Sequence, residues 1–63
     1  MKTRKETYEI EEPFRNAWRS YDTYTEEKEA LDELYYLRGQ YKSEFRLKKI
    51  IEETEVTEEI LDA

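Results

Sequence analysis

Cysteine and histidine are absent from this chain, which removes disulfide staples, thiolate zinc sites and imidazole acid-base chemistry together. Gly39 is the only glycine and Pro13 the only proline, so no Gly-rich loop is available to cradle a phosphate. No uninterrupted apolar run approaches the roughly 20 residues of a membrane span, and no membrane association is expected. Met1-Lys2-Thr3-Arg4-Lys5 carries the charge of a signal n-region, but Glu6, Glu9, Glu11 and Glu12 stand where an apolar h-region is required. The expected setting is cytoplasmic. A chain of 63 residues buries only roughly 60% of its unfolded surface, which predicts one domain over residues 1–63 with a thin core. Residues 1–6 and 57–63 are expected to fray. Packing alone must hold such a chain, and pairing into a homodimer would help.

What the chain has in abundance is charge, with 17 acids against 11 bases for a net charge of -6. Its distribution is uneven. Residues 20–37 hold six acids and only Lys28, and the stretch from Ile50 onward holds six acids and no base. Between them Arg38, Lys42, Arg46, Lys48 and Lys49 face a single acid, Glu44. The pattern is an acidic protein with one basic band.

In Thr7 to Phe14, Tyr8 and Ile10 alternate with Glu9 and Glu11, the period of a half-buried strand. Pro13 should end it or mark an edge, and Arg15-Asn16-Ala17 has the length of a hairpin turn. The second strand, Trp18 to Tyr24, places Trp18, Ser20, Asp22 and Tyr24 on one face by parity, with Arg19, Tyr21 and Thr23 on the other. Thr23 followed by Glu26 fits a capping box, and Glu26 and Glu27 suit the positive end of a helix dipole. Ala30, Leu34, Leu37 and Tyr41 then recur at helical spacing, widened by Leu31 and Tyr35. That stripe carries the helix past Gly39 to Tyr41.

Residues 44–54 admit two readings. As a strand they set Phe45, Leu47 and Ile51 on one face, with Lys49 as an exception, and Arg46, Lys48 and Ile50 on the other. As a helix they offer Leu47, Ile50, Ile51 and Thr54 with Ser43 as a cap. Aromatic and β-branched content and the Lys42-Ser43 break favour the strand, leaving Thr57 to Leu61 to form a last helical turn or to fray. The expected fold is α+β, a ββαβ two-layer domain with one helix on a three-stranded sheet.

The order Trp18-Arg19-Ser20-Tyr21-Asp22-Thr23-Tyr24, then Glu27-Lys28-Glu29-Ala30-Leu31, then Phe45-Arg46-Leu47-Lys48-Lys49-Ile50 resembles short bacteriophage-type hypothetical proteins of hairpin, helix and strand pattern. The likeness covers about residues 8–51. It implies a small phage or prophage protein that acts on a host component, and it assigns no functional residue.

Catalysis is not expected: there is no nucleophile and base pair, and the carboxylate pairs Glu26 with Glu29 and Glu52 with Glu55 lack an apolar pocket to separate their pKa values. No cofactor, metal or small-molecule substrate is implied. Two surfaces carry the functional expectations. On the outer helix face, Glu29, Asp32, Glu33 and Tyr36 lie opposite the apolar stripe. Glu29 and Glu33, about 6 Å apart along the axis, imitate a row of phosphates to a host protein that binds nucleic acid. On the sheet face without a helix, parity gathers Arg19, Tyr21, Arg46, Lys48 and Ile50, a composition that suits a protein partner or a symmetric dimer centred on Tyr21 and Ile50. It also resembles a stacking platform for single-stranded nucleic acid, which the overall charge opposes. Trp18 is expected in the core. The reading is a noncatalytic module that binds or inhibits a host protein; the alternatives are a structural homo-oligomer and a nucleic-acid-binding module.

Overall fold

The computed structural model describes residues 3–41 and 43–62; Lys42 of the basic band lies outside them. Two hairpins flank one helix, in the order β1 (Lys5–Phe14), β2 (Ala17–Tyr24), α1 (Glu27–Gln40), β3 (Arg46–Glu52) and β4 (Val56–Asp62). The strands form one antiparallel sheet in the order β2-β1-β3-β4. Both β2 and β3 run antiparallel to β1 between them, so they share a direction and α1 crosses over β1 to join them.

The fold is α+β, with four strands where three were expected. The strand reading of residues 44–54 holds over Arg46–Glu52, the segment expected to form a helical turn or fray is β4, and Lys5 and Glu6, expected to fray, belong to β1. Charge complementarity across the register favours the pairing of β4 with β3. Lys49 stands opposite Glu59 and Ile50 opposite Glu58, and Lys48 Nζ lies 3.7 Å from Glu58 Oε1. Opposite charges across antiparallel strands favour pairing, so the paired lysines of β3 select the paired glutamates downstream.

The β1 to β2 hairpin closes through two residues, Arg15 and Asn16, with Ala17 already in β2. Arg15 has φ 58, a left-handed conformation that glycine would take more easily. Pro13 does not end β1. Pairing with β3 stops at Glu11, so beyond it that side of β1 is an edge and proline's missing N–H breaks no ladder bond there.

The helix begins later than the capping box predicts. Thr23 remains in β2, and Glu26 is the N-cap without a side-chain capping bond. At the other end Tyr41 is the C-cap, its N–H donating to the Leu37 carbonyl. Ala30, Leu34 and Leu37 form the buried stripe and meet Tyr8, Ile10, Phe45 and Leu47 of the sheet side, with Tyr24, Leu31 and Leu61 packed around them. Ile10, Leu34, Leu37 and Leu47 are fully enclosed. Each such side chain contributes about 1.5–3 kcal/mol. Tyr35 and Tyr41, assigned to the stripe by periodicity, are exposed instead.

Two bulges set which residues reach this core. The β1–β2 register passes from Ile10 opposite Asp22 to Glu11 opposite Ser20, leaving Tyr21 as the extra residue. The β3–β4 register passes from Leu47 opposite Asp62 to Lys48 opposite Ile60, leaving Leu61 extra. Tyr21 packs edge-on against Phe45, centroids 5.5 Å apart, and Leu61 packs on the core.

Gly39 sits inside α1 with negative φ, and a Cβ built on it meets nothing within 4 Å. Gly39→Ala is expected to raise stability by about 0.5–1 kcal/mol, read as a higher urea midpoint with unchanged slope; an unchanged or lower midpoint contradicts the placement.

Candidate functional site

Residues opposite one another in a sheet share a face, so the register decides what each surface displays. Tyr8 and Ile10 face α1. Glu9, Glu11 and Pro13 therefore point away from it, together with Trp18, Ser20 and Thr23 of β2, Arg46, Lys48 and Ile50 of β3, and Val56, Glu58 and Ile60 of β4.

The expected grouping of Arg19, Tyr21, Arg46, Lys48 and Ile50 is only partly assembled. Arg46, Lys48 and Ile50 share the helix-free face, but the bulge at Tyr21 inverts the parity of everything before it in β2. Arg19 falls opposite Glu12 on the other face, where its Nε donates to Glu12 Oε1 at 2.7 Å and its guanidinium lies 4.3 Å from the Phe14 ring centroid. Tyr21 is on the helix side against Phe45. Trp18, expected in the core, takes the vacated place on the open face. It is 38% exposed, with the Arg46 guanidinium 4.0 Å from its ring centroid.

Glu11 lies at the centre of this face and is only 6% exposed. Arg46 Nε donates to its Oε1 at 2.8 Å and Lys48 Nζ to its Oε2 at 3.1 Å. Lys48 also reaches Glu9 at 3.4 Å and Glu58 at 3.7 Å, so one ammonium gathers carboxylates from β1 and β4. Burial alone would raise the Glu11 pKa, but the hydrogen bonds and charges of Arg46 and Lys48 outweigh it and hold the carboxyl below its usual value. Burial likewise works against the Lys48 ammonium, and Glu11, Glu9 and Glu58 more than compensate, raising its pKa. The long side chains of Arg46 and Lys48 thus cover the face that no helix covers.

Internal pairing also accounts for other cations. Arg4 pairs with Glu6 and Glu53, Arg38 with Asp62, and Lys49 with Glu6. The acids at the start of α1 and on its outer surface differ. Among the described residues Glu26, Glu27, Glu29, Asp32 and Glu33 make no ion pair.

Glu29, Asp32 and Tyr36 are exposed on α1, as periodicity predicts, and Glu33 is half-buried on the flank toward β2. Its charge is felt by Tyr24, whose hydroxyl donates to Asp22 Oδ2 at 3.3 Å. Burial, then the carboxylates of Asp22 and Glu33, push the Tyr24 pKa up to about 12.

The concave features are open depressions. One, bounded by Trp18, Arg38, Ser43, Glu44 and Phe45, encloses about 510 Å³. Among the described residues no three acids are placed to hold a metal ion, and no helix is long and apolar enough to cross a membrane. Comparison with protein-family models, curated proteins and solved structures found no match.

The features that sequence reasoning missed are Glu11 and Trp18. Glu11 was legible only as one of many carboxylates, since its importance follows from the β1–β3 register. Trp18 was hidden by the bulge.

Because the folded pKa of Glu11 lies below its unfolded value near 4.3, its interactions add stability above that pH. The contribution is lost as pH falls through the folded value. Glu11→Gln is expected to cost about 1–2 kcal/mol at pH 7 and to lose less further stability between about pH 5 and 3 than the parent chain. Urea unfolding at both pH values measures this, and parallel pH dependence of the two chains contradicts it.

Proposed function

We propose that this chain is a noncatalytic protein-binding module that uses the acidic outer face of α1 to occupy a basic protein surface, one whose Lys and Arg otherwise hold nucleic acid. The observation that carries the reading is the segregation of charge. Arg46, Lys48, Lys49, Arg38, Arg19 and Arg4 are tied to acids of the sheet and the β3–β4 turn, while Glu26, Glu27, Glu29, Asp32 and Glu33 stay without a cationic partner among the described residues. Part of the net charge of -6 is therefore expressed along one helix, where Lys28 is the one base among these five acids. Glu29 and Glu33 stand four residues apart, about 6 Å along the axis, and attract cations on a partner with a strength that salt screens.

The resemblance to phage-type proteins supports a bacterial host protein as the target and inhibition as the outcome. A structural homo-oligomer is the second reading, favoured by exposed Trp18, Val56 and Ile60 on the helix-free face. Single-stranded nucleic acid is the least supported ligand, because Glu11, Glu9 and Glu58 already neutralise the cations of that face.

Immobilised protein is expected to retain a bacterial host protein from lysate, released by moderate salt and by duplex DNA. Glu29→Lys with Glu33→Lys should reduce retention by at least about tenfold, a loss of roughly 1.4 kcal/mol, while leaving the far-ultraviolet spectrum unchanged. Equal capture by the folded double variant contradicts the reading, as does capture indifferent to salt and DNA.

A further inference from the structure

The sheet ends in two free edges, β2 and β4, and they are not equivalent. The bulge at Tyr21 interrupts β2 near its middle, which bends and blunts an edge. The bulge in β4 lies near its end, leaving Val56 to Ile60 in uninterrupted register with β3. All five of these residues are exposed. Helix α1 packs over β1, β2 and β3 but not over β4. Beyond the pairing with β3, β4 is held to the core side only at its end, by Leu61 and the Arg38–Asp62 contact. Val56 to Ile60 thus present a row of outward main-chain donors and acceptors with both flanking faces accessible.

We propose that the outer edge of β4 accepts an extended basic segment of another protein as a fifth, antiparallel strand. Charge chooses the occupant. A second copy of this chain is a poor fit: opposed residues share a face, so a two-fold antiparallel pairing is centred on one residue, and centring on Glu58 or Glu59 sets that acid against its own copy while centring on Ile60 sets Glu58 against Asp62. Like charges directly opposite destabilise a sheet. The strand that β4 does accept shows what suits it. On its inner edge β3 supplies Lys49 opposite Glu59, Lys48 within 3.7 Å of Glu58, and the β-branched Ile50 and Ile51 opposite Glu58 and Thr57. An outer strand with two adjacent cations followed by β-branched apolar residues meets the same carboxylates from the other side. Glu59 makes no ion pair among the described residues, and Glu58 has only the long contact to Lys48. Edge exposure supplies main-chain hydrogen bonding, and the acids supply selection. This surface is separate from the outer face of α1, and Glu29→Lys with Glu33→Lys should leave it intact.

The probe is a synthetic peptide copying residues 45–52 of this chain, beside a control in which both of its lysines are glutamate. Amide hydrogen exchange of the full chain is followed by NMR. With the basic peptide in excess, the β4 amides that point away from β3 are expected to exchange at least about tenfold more slowly, and the acidic peptide should have no effect. Glu58→Gln with Glu59→Gln, verified as folded by unchanged β3 protection, should lose the slowing. The proposal is overturned by unaltered β4 exchange, by equal protection from both peptides, or by loss of β3 protection as the peptide replaces it. It is also overturned if β4 protection rises with protein concentration in the absence of peptide, which would make a second copy the occupant.

Discussion

One carboxylate organises the helix-free side of this molecule. Glu11 sits where β1 is flanked by both β2 and β3, and a buried unpaired charge there would cost several kcal/mol. Arg46 and Lys48, both from β3, remove that penalty by donating hydrogen bonds to its two oxygens. The same contacts hold β3 in register on β1, stretch Arg46 over Trp18, and bring Lys48 within reach of Glu58 on β4. A short chain without a second helix thereby covers its open sheet face with the aliphatic stems of its own cations. The apolar layer on the other face contributes more free energy, and its alternation sets the register; Glu11, satisfied only when Arg46 and Lys48 lie beside it, adds a polar contact specific to that register.

Much of the layout was legible because local pattern and tertiary demand agree. Ala30, Leu34 and Leu37 are buried as their spacing requires, Tyr8 and Ile10 alternate onto the core, and Leu47 and Ile51 share a face. The failures have two physical causes. A one-residue bulge inverts side-chain parity without leaving a mark in composition, and the single extra residue at Tyr21 moved Trp18 out of the core, Arg19 off the open face and Tyr21 onto Phe45. The second cause is that β4 is mixed in character, its strand formers Val56, Thr57 and Ile60 interrupted by Glu58 and Glu59 and followed by Asp62. Backbone pairing with β3, the packing of Leu61 on the core and the lysines beside Glu58 and Glu59 draw it into the sheet, a complementarity that appears only when the two segments are compared with each other. The capping box at Thr23 failed for a related reason: pairing Glu9 with Thr23 and Tyr8 with Tyr24 keeps those residues in the strand, and the helix starts after them.

The same arrangement gives the surface its character. Cations drawn into the sheet leave it close to neutral at its centre, so a basic band conspicuous in the sequence is not a basic surface in the fold. Acids with no such partner accumulate on α1. The outer helix face and the free edge of β4 are consequently regions where negative charge is available to another molecule, one through side chains alone and the other through side chains and main chain together.

A double-mutant cycle between Glu11→Gln and Lys48→Met, measured by urea unfolding at neutral pH and low salt, tests most directly whether this carboxylate and these cations act as a unit. A coupling of about 1 kcal/mol or more is the predicted result. Additivity of the two single changes within about 0.3 kcal/mol would mean that Glu11 and Lys48 are neighbours without mutual dependence, and the account of the open face would be wrong.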